Sequence, residues 1–152
     1  MKKISAPVLI QTNALARRSP KDLDKRATII IQHNNLVEAK YSMTLQQKRI
    51  MIWLVSQVMP NDIDFKEHVL NIKELIKICD LSGESSYKEI KNITFSLIEK
   101  GIRIIDITDP QNKREIQVPW LSSADYYKGQ VKLSFSPKLK PYLLKLRDNF
   151  TV

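Results

Sequence analysis

Apolar positions along the chain change their spacing several times, and each change marks an element. Ile29, Ile30 and Ile31 form a β-branched run halted at Asn34 and Asn35, which predicts a short strand. In the following LVEA an asparagine cap predicts one turn of helix. Thr44 with Gln47 three residues later is a capping box, so a longer helix is expected to start there and run to about Met59, before Pro60-Asn61-Asp62. Ile50, Ile52, Trp53, Leu54, Val55 and Val58 occupy most of its circumference, which marks it as the central helix of the core.

The run HVLNI predicts a second strand, and residues 72–81 a helix with Ile72, Leu75, Ile76 and Cys79 at helical spacing. Ser82-Gly83 breaks it. Ser85 and Ser86 are placed to cap a further helix over residues 85–100, with Tyr87, Ile90, Ile93, Leu97 and Ile98 as its apolar side and Gly101 as its stop. IRIIDI and EIQVPWL then predict a hairpin with a long polar tip around Asp109-Pro110 and Asn112. A last strand, VKLSF, follows the Gly129 turn. Ser136-Pro137 opens a terminal helix striped by Leu139, Tyr142, Leu143 and Leu146.

The order helix, strand, helix, turn, helix, hairpin predicts an α+β domain of the winged helix-turn-helix kind. In this plan the second helix of the pair faces the DNA major groove and a hairpin flanks it. By that argument the groove-facing helix is residues 85–100.

Charge narrows the partner. Twenty-five Lys and Arg against sixteen Asp and Glu give +9, which favours a polyanion. Residues 1–26 gather Lys2, Lys3, Arg17, Arg18, Lys21, Lys25 and Arg26 with no apolar period, and are expected to form a flexible basic arm ahead of a domain at 27–152. Cys79, the one cysteine, lies in an apolar run and predicts a buried, reduced thiol. No stretch has the length of a membrane span, so a cytoplasmic protein is expected. His33 and His68 have no ligand-spaced companions, and three glycines make no phosphate loop. Neither a metal, a cofactor nor an enzymatic activity is expected.

Three ordered segments carry a resemblance: NLVEAKYSMTLQQKRIMIWLVSQV, SYKEIKNITFSLIEKGIRI and LSFSPKLKPYLLKLRDNFT. Over roughly residues 33–151 they resemble the replication initiator (Rep) proteins of iteron-containing, theta-replicating plasmids, in the first of that family's two winged-helix domains. The resemblance implies that NLVEA is the short helix preceding the core helix, and that the second winged-helix domain is absent from this chain. It also implies double-stranded DNA of the origin iterons as partner, with host replication proteins as further partners. Self-association to a homodimer, in the service of replication and copy control, is implied as well.

The candidate DNA-contacting residues are Ser85, Ser86, Lys88, Lys91 and Asn92 on the groove-facing helix, with Arg103, Lys113 and Arg114 on the hairpin read as the wing. Lysine neutralises phosphate, and asparagine pairs bidentately with adenine. Against this, Glu84, Glu89 and Glu99 cancel Lys88, Lys91 and Lys100, as on an ordinary solvated face. The resemblance directs self-association to the β-rich segment with Ile116, Val118 and Trp120, although Trp120, like Trp53, also reads as core. Two other readings stay open: a structural dimerisation domain with no useful DNA affinity, and, more weakly, a membrane-surface protein using the basic arm.

Overall fold

The computed structural model describes residues 27–33, 35–58 and 67–146; the basic arm expected over residues 1–26 lies outside the described residues. Strand β1 (Ala27–Gln32) buries Ala27, Ile29 and Ile31 in strict alternation, as an inner strand should. It is followed by β2 (Asn35–Tyr41), antiparallel to it.

This strand replaces the helical turn expected at LVEA, and the reason is local. The register slips between Ile30 and Ile31: Ile31 pairs with Leu36 but Ile30 with Glu38, leaving Val37 as an extra residue. Such a bulge interrupts the two-residue period. Leu36 and Ala39 therefore both face the core three positions apart, a spacing that imitates a helix, while Val37 stands exposed.

Helix α1 (Leu45–Ser56) begins with the predicted capping box: the Thr44 hydroxyl accepts from the Gln47 amide at 3.2 Å, and Gln47 Oε1 accepts from the Thr44 amide at 2.9 Å. It ends at Ser56, short of Met59, and leaves Ile52 exposed, so its apolar cover is less complete than its composition suggests. Ile50, Met51, Leu54 and Val55 fill the core. Strand β3 (His68–Asn71) leads into α2 (Ile72–Ile78), which stops before the expected 81 because Asp80 adopts a φ of +55°. Gly83, at φ +99°, completes the turn into α3 (Ser86–Glu99).

The β region departs furthest from expectation. β4 (Gly101–Asp106) and β5 (Arg114–Pro119) form the expected hairpin, but EIQVPWL is not one strand. The chain leaves β5 at Pro119, buries Trp120, and restarts as β6 (Leu121–Tyr127) in a different sheet, where it pairs with β7 (Gln130–Phe135). One sheet has the order β2-β1-β4-β5, with β1 and β4 parallel; the other has the order β3-β7-β6. A 3-10 turn (Pro137–Leu139) and α4 (Lys140–Leu146) close the described chain, with Leu139, Tyr142, Leu143 and Leu146 buried as their stripe predicted.

The winged helix is thus α1, β3, α2, α3, β6 and β7, with β4 and β5 set into it to complete the second sheet around β1. The wing is the β6–β7 hairpin. IRIIDI and EIQVP, read from sequence as the wing, belong to the other sheet. A wing must share a sheet with the strand between the first two helices, and it is β7 that pairs with β3.

Candidate nucleic-acid interface

Helix α3 presents one face to the core through Ile90, Thr94 and Leu97 and the opposite face outward. At 100° per residue, Lys88, Asn92, Phe95 and Glu99 fall along one outermost ridge. Asn92 lines grooves on both sides of the helix, as a residue on a crest must: one with Thr44, Gln46 and Ile93, the other with Lys91, Phe95 and Tyr126. The ridge is not purely polar. Phe95 is 58% exposed, and Tyr87, nearer the wing side, is 48% exposed.

The helix is held in position along its inner side and at its C-terminal end. Tyr126 of β6 meets Thr94, their hydroxyl oxygens 2.9 Å apart, and burial pushes the Tyr126 phenol above its ordinary range. Lys91 Nζ lies 5.6 Å from the centre of the same ring, a cation–π distance. At the C-terminal end, Lys100 Nζ donates to the Ser42 carbonyl and, at 3.1 Å, to Gln47 Oε1, while Gln47 Nε2 donates to Ser96 Oγ at 2.7 Å. This cluster ties α3 to the start of α1. Burial lowers the Lys100 ammonium from its ordinary range, and that cation serves the scaffold.

Of the residues proposed from sequence, Lys88, Lys91 and Asn92 share the exposed side of α3. Neither Ser85 nor Ser86 makes a side-chain cap bond to the helix. Ser85 occupies the N-cap position, but its hydroxyl donates to the Glu89 carboxylate at 2.6 Å. Ser86 is buried, donating to the Gly83 carbonyl at 2.9 Å. Its position inside the turn explains why it is unavailable outside.

Arg103, Lys113 and Arg114 lie on the β4–β5 hairpin, in a different sheet from the wing. Arg103 grips Glu115 with two hydrogen bonds, Nε to Oε2 at 3.1 Å and Nη2 to Oε1 at 3.0 Å. Hydrogen bonds from Arg103, then from Gln117, hold the Glu115 carboxyl below its ordinary range. Lys113 and Arg114 are exposed at the tip. Asp109 is a turn residue as expected, accepting from Asn112 and Gln111, and Asp106 ends β4, accepting from both the amide and the hydroxyl of Thr108.

Ile116 and Val118 are half-buried on β5, the outer strand of its sheet. Trp120 is not there with them. It is fully buried, its ring edge-on to Tyr41 at 5.7 Å, and it is the residue on which the chain changes sheets. Its reading as core holds, and its assignment to an interface does not.

Sequence reasoning misses the wing cations Lys128 and Lys132, together with the exposed aromatics Phe95 and Tyr127. The signal is present in YYKGQ. Lys128 and Gly129 both have positive φ, 49° and 76°, which is the two-residue turn that closes a tight hairpin. Exposed lysines on α2, Lys73 and Lys77, sit on the first helix of the pair, which in this plan crosses the DNA backbone. Among the described residues no group of three or more His, Cys, Asp or Glu could hold a metal, and no helix is long and apolar enough to cross a membrane. Cys79 is buried, and burial pushes its thiol up to about 12.

Residues 29–152 match the family described as initiator replication protein, WH1, and the chain belongs to that family. Its fold is similar to the crystal structure of the WH1 domain of MSBI1.176, a replication protein isolated from a multiple sclerosis patient. The TM-score is 0.54 at 16% identity, covering 73% of this chain and 88% of that one. A G-type lectin S-receptor-like serine/threonine-protein kinase of Arabidopsis thaliana is 25% identical over 91 residues, 60% of this chain but 11% of its own length. So short a share of the kinase carries none of its activity here.

Proposed function

We propose that this domain binds double-stranded DNA at a plasmid origin, with α3 in the major groove and the β6–β7 wing beside it, and that it self-associates along β5. The role is one of binding and assembly, without catalysis. One observation carries the reading: the outward side of α3 brings Lys88, Lys91 and Asn92 together beside a hairpin whose tip and outer face hold Lys128 and Lys132. Lysines at helix and hairpin supply phosphate contacts, and Asn92 supplies a base contact. Lys73 and Lys77 add to the same footprint from α2. The family's description as initiator replication protein favours the origin as the site of action.

Self-association is supported by β5 being an outer strand with half-buried Ile116 and Val118, an edge that a second copy can extend. The neutral charge of α3 favours the second reading, a domain that only dimerises. Titrating the protein with origin duplex and with scrambled duplex of equal length, at several salt concentrations, tests the choice. The DNA reading expects tighter binding to the origin duplex and a log–log salt slope of several units. Equal, weak binding to both duplexes would leave only the dimerisation role.

A further inference from the structure

We propose that α3 reads A·T base pairs, with Asn92 on an adenine edge and Phe95 against the methyl group of a neighbouring thymine. The proposal rests on the duplex-binding reading above and assigns it a base preference. Its starting point is the composition of the α3 ridge. A helix that only followed phosphates would carry cations along its outermost line. Here Lys88 is followed by an amide and then by an aromatic ring, Asn92 and Phe95. Phe95, 58% exposed, is the large apolar side chain on that line.

The chemistry of base edges gives both residues a match. Asparagine donates to adenine N7 and accepts from the N6 amino group, a bidentate pair that forms only when its amide lies flat against that edge. The C5-methyl of thymine is the apolar group the major groove offers to a phenyl ring. Spacing agrees with chemistry. Side chains three apart on a helix lie roughly 5–6 Å from one another, and successive bases on one strand lie about 3.4 Å apart. Asn92 and Phe95 therefore address neighbouring base pairs and not the same one.

The surroundings hold the pair up to the groove. The hydroxyl contact between Thr94 and Tyr126 fixes the helix between the two residues against β6, at 2.9 Å. Lys91, drawn over the Tyr126 ring, is displaced from the ridge toward the wing, where a phosphate would lie. Beside Phe95 an open groove of about 490 Å³ is lined by Ile98, Ala124 and Tyr126, so the ring has apolar ground on the wing side and an open face toward a ligand.

The test uses three duplexes of one A·T-rich sequence: unmodified, with deoxyuridine for thymidine, and with 7-deazaadenine for adenine. A G·C duplex of equal length serves as reference. The full chain is expected to prefer the unmodified A·T duplex to the G·C one. Loss of the thymine methyl should weaken it about fourfold, the worth of one apolar carbon. Loss of adenine N7 should weaken it about tenfold, because the Asn92 amide N–H then faces a C–H and the bidentate pair is broken. Phe95→Ala should bind thymidine and deoxyuridine duplexes alike yet still sense 7-deazaadenine, and Phe95→Leu should recover part of the methyl discrimination. Asn92→Ala should show the reverse pattern. Both side chains are exposed, so neither change threatens folding. Equal affinity of the full chain for thymidine and deoxyuridine duplexes, with salt-dependent binding retained, would overturn the proposal alone. So would methyl discrimination that survives in Phe95→Ala, or tighter binding to the thymidine single strand than to the duplex. An absence of salt-dependent binding to any duplex would instead remove the DNA-binding reading itself.

Discussion

The two hairpins that follow α3 have opposite constructions. β4–β5 has a long tip rich in polar and basic residues, pairs through β4 with the central strand β1, and anchors Arg103 to Glu115 across the strands. β6–β7 turns in two residues, Lys128 and Gly129, pairs with β3, and packs under α3 through Tyr126. The first has the charge a wing is expected to carry; the second has the place. A basic tip is a property of a few side chains, whereas a wing is defined by which sheet the hairpin joins. Pairing of strands far apart in the chain decides that.

The strongest test of this contrast is the residue between the hairpins. Trp120→Ala removes a fully buried ring at the point where β5 ends and β6 begins. It should cost about 3–5 kcal/mol in urea unfolding, destabilising both hairpins together. Retention of wild-type stability would mean that the two sheets are not joined through this ring.

Next in size is DNA affinity. Lys128→Ala/Lys132→Ala should weaken duplex binding and reduce the salt slope by about one unit for each phosphate that is no longer neutralised. Lys113→Ala/Arg114→Ala should change the slope less. The reverse order would restore β4–β5 as the DNA-flanking hairpin.

A smaller difference is expected from the glycines. Gly129 has a φ of +76° with open space around its Cα, so Gly129→Ala should cost about 1–2 kcal/mol through backbone strain alone. Gly101, at the start of β4, lies outside the positive-φ region and has equally open space, and Gly101→Ala should be close to neutral in thermal unfolding.

The smallest effect concerns Glu115. Its carboxyl is held below the ordinary range, first by the Arg103 hydrogen bonds and then by Gln117. A carboxylate lowered in this way adds stability above its unfolded-state value and loses it as pH falls through the folded one. The wild type should therefore soften slightly on the acid side of the carboxylate range, and Glu115→Gln should not. Because the group is exposed, the difference should be no more than a small shift in melting temperature between the two pH profiles.

Much of the fold is legible in the sequence because it is written locally. The Thr44–Gln47 capping box, the helical stripes of α2, α3 and α4, the alternation of VKLSF and the identity of α3 as the outward helix all follow from neighbours a few residues apart. What escapes is set at a distance. The bulge at Val37 disguises a strand as a helix, because it needs the register against β1 to be seen. EIQVPWL reads as one β-rich run, yet it belongs to two sheets, and only the partners on either side divide it. On the candidate site, Lys88, Lys91 and Asn92 are legible because helix periodicity orients them outward. Ser86 is misleading because its hydroxyl is taken by a carbonyl in the preceding turn. Phe95 escapes because an aromatic residue in a helix is ordinarily core; its exposure follows from its angle relative to Ile90 and Leu97.

The parallel pairing of β1 with β4 also carries a consequence in time. β1 and β2 can form a hairpin as soon as both have left the ribosome, but the other side of β1 pairs with residues 103–106. Those residues are made only after α1, α2 and α3. The isoleucine-rich strand at the middle of the sheet must therefore wait, half-paired, while the helical part of the domain is synthesised. Local helices form early and distant strand pairs late. The seating of β4 beside β1 is thus expected to come late, followed by the pairing of β7 with β3, with the emerging chain carrying an open, aggregation-prone edge until then.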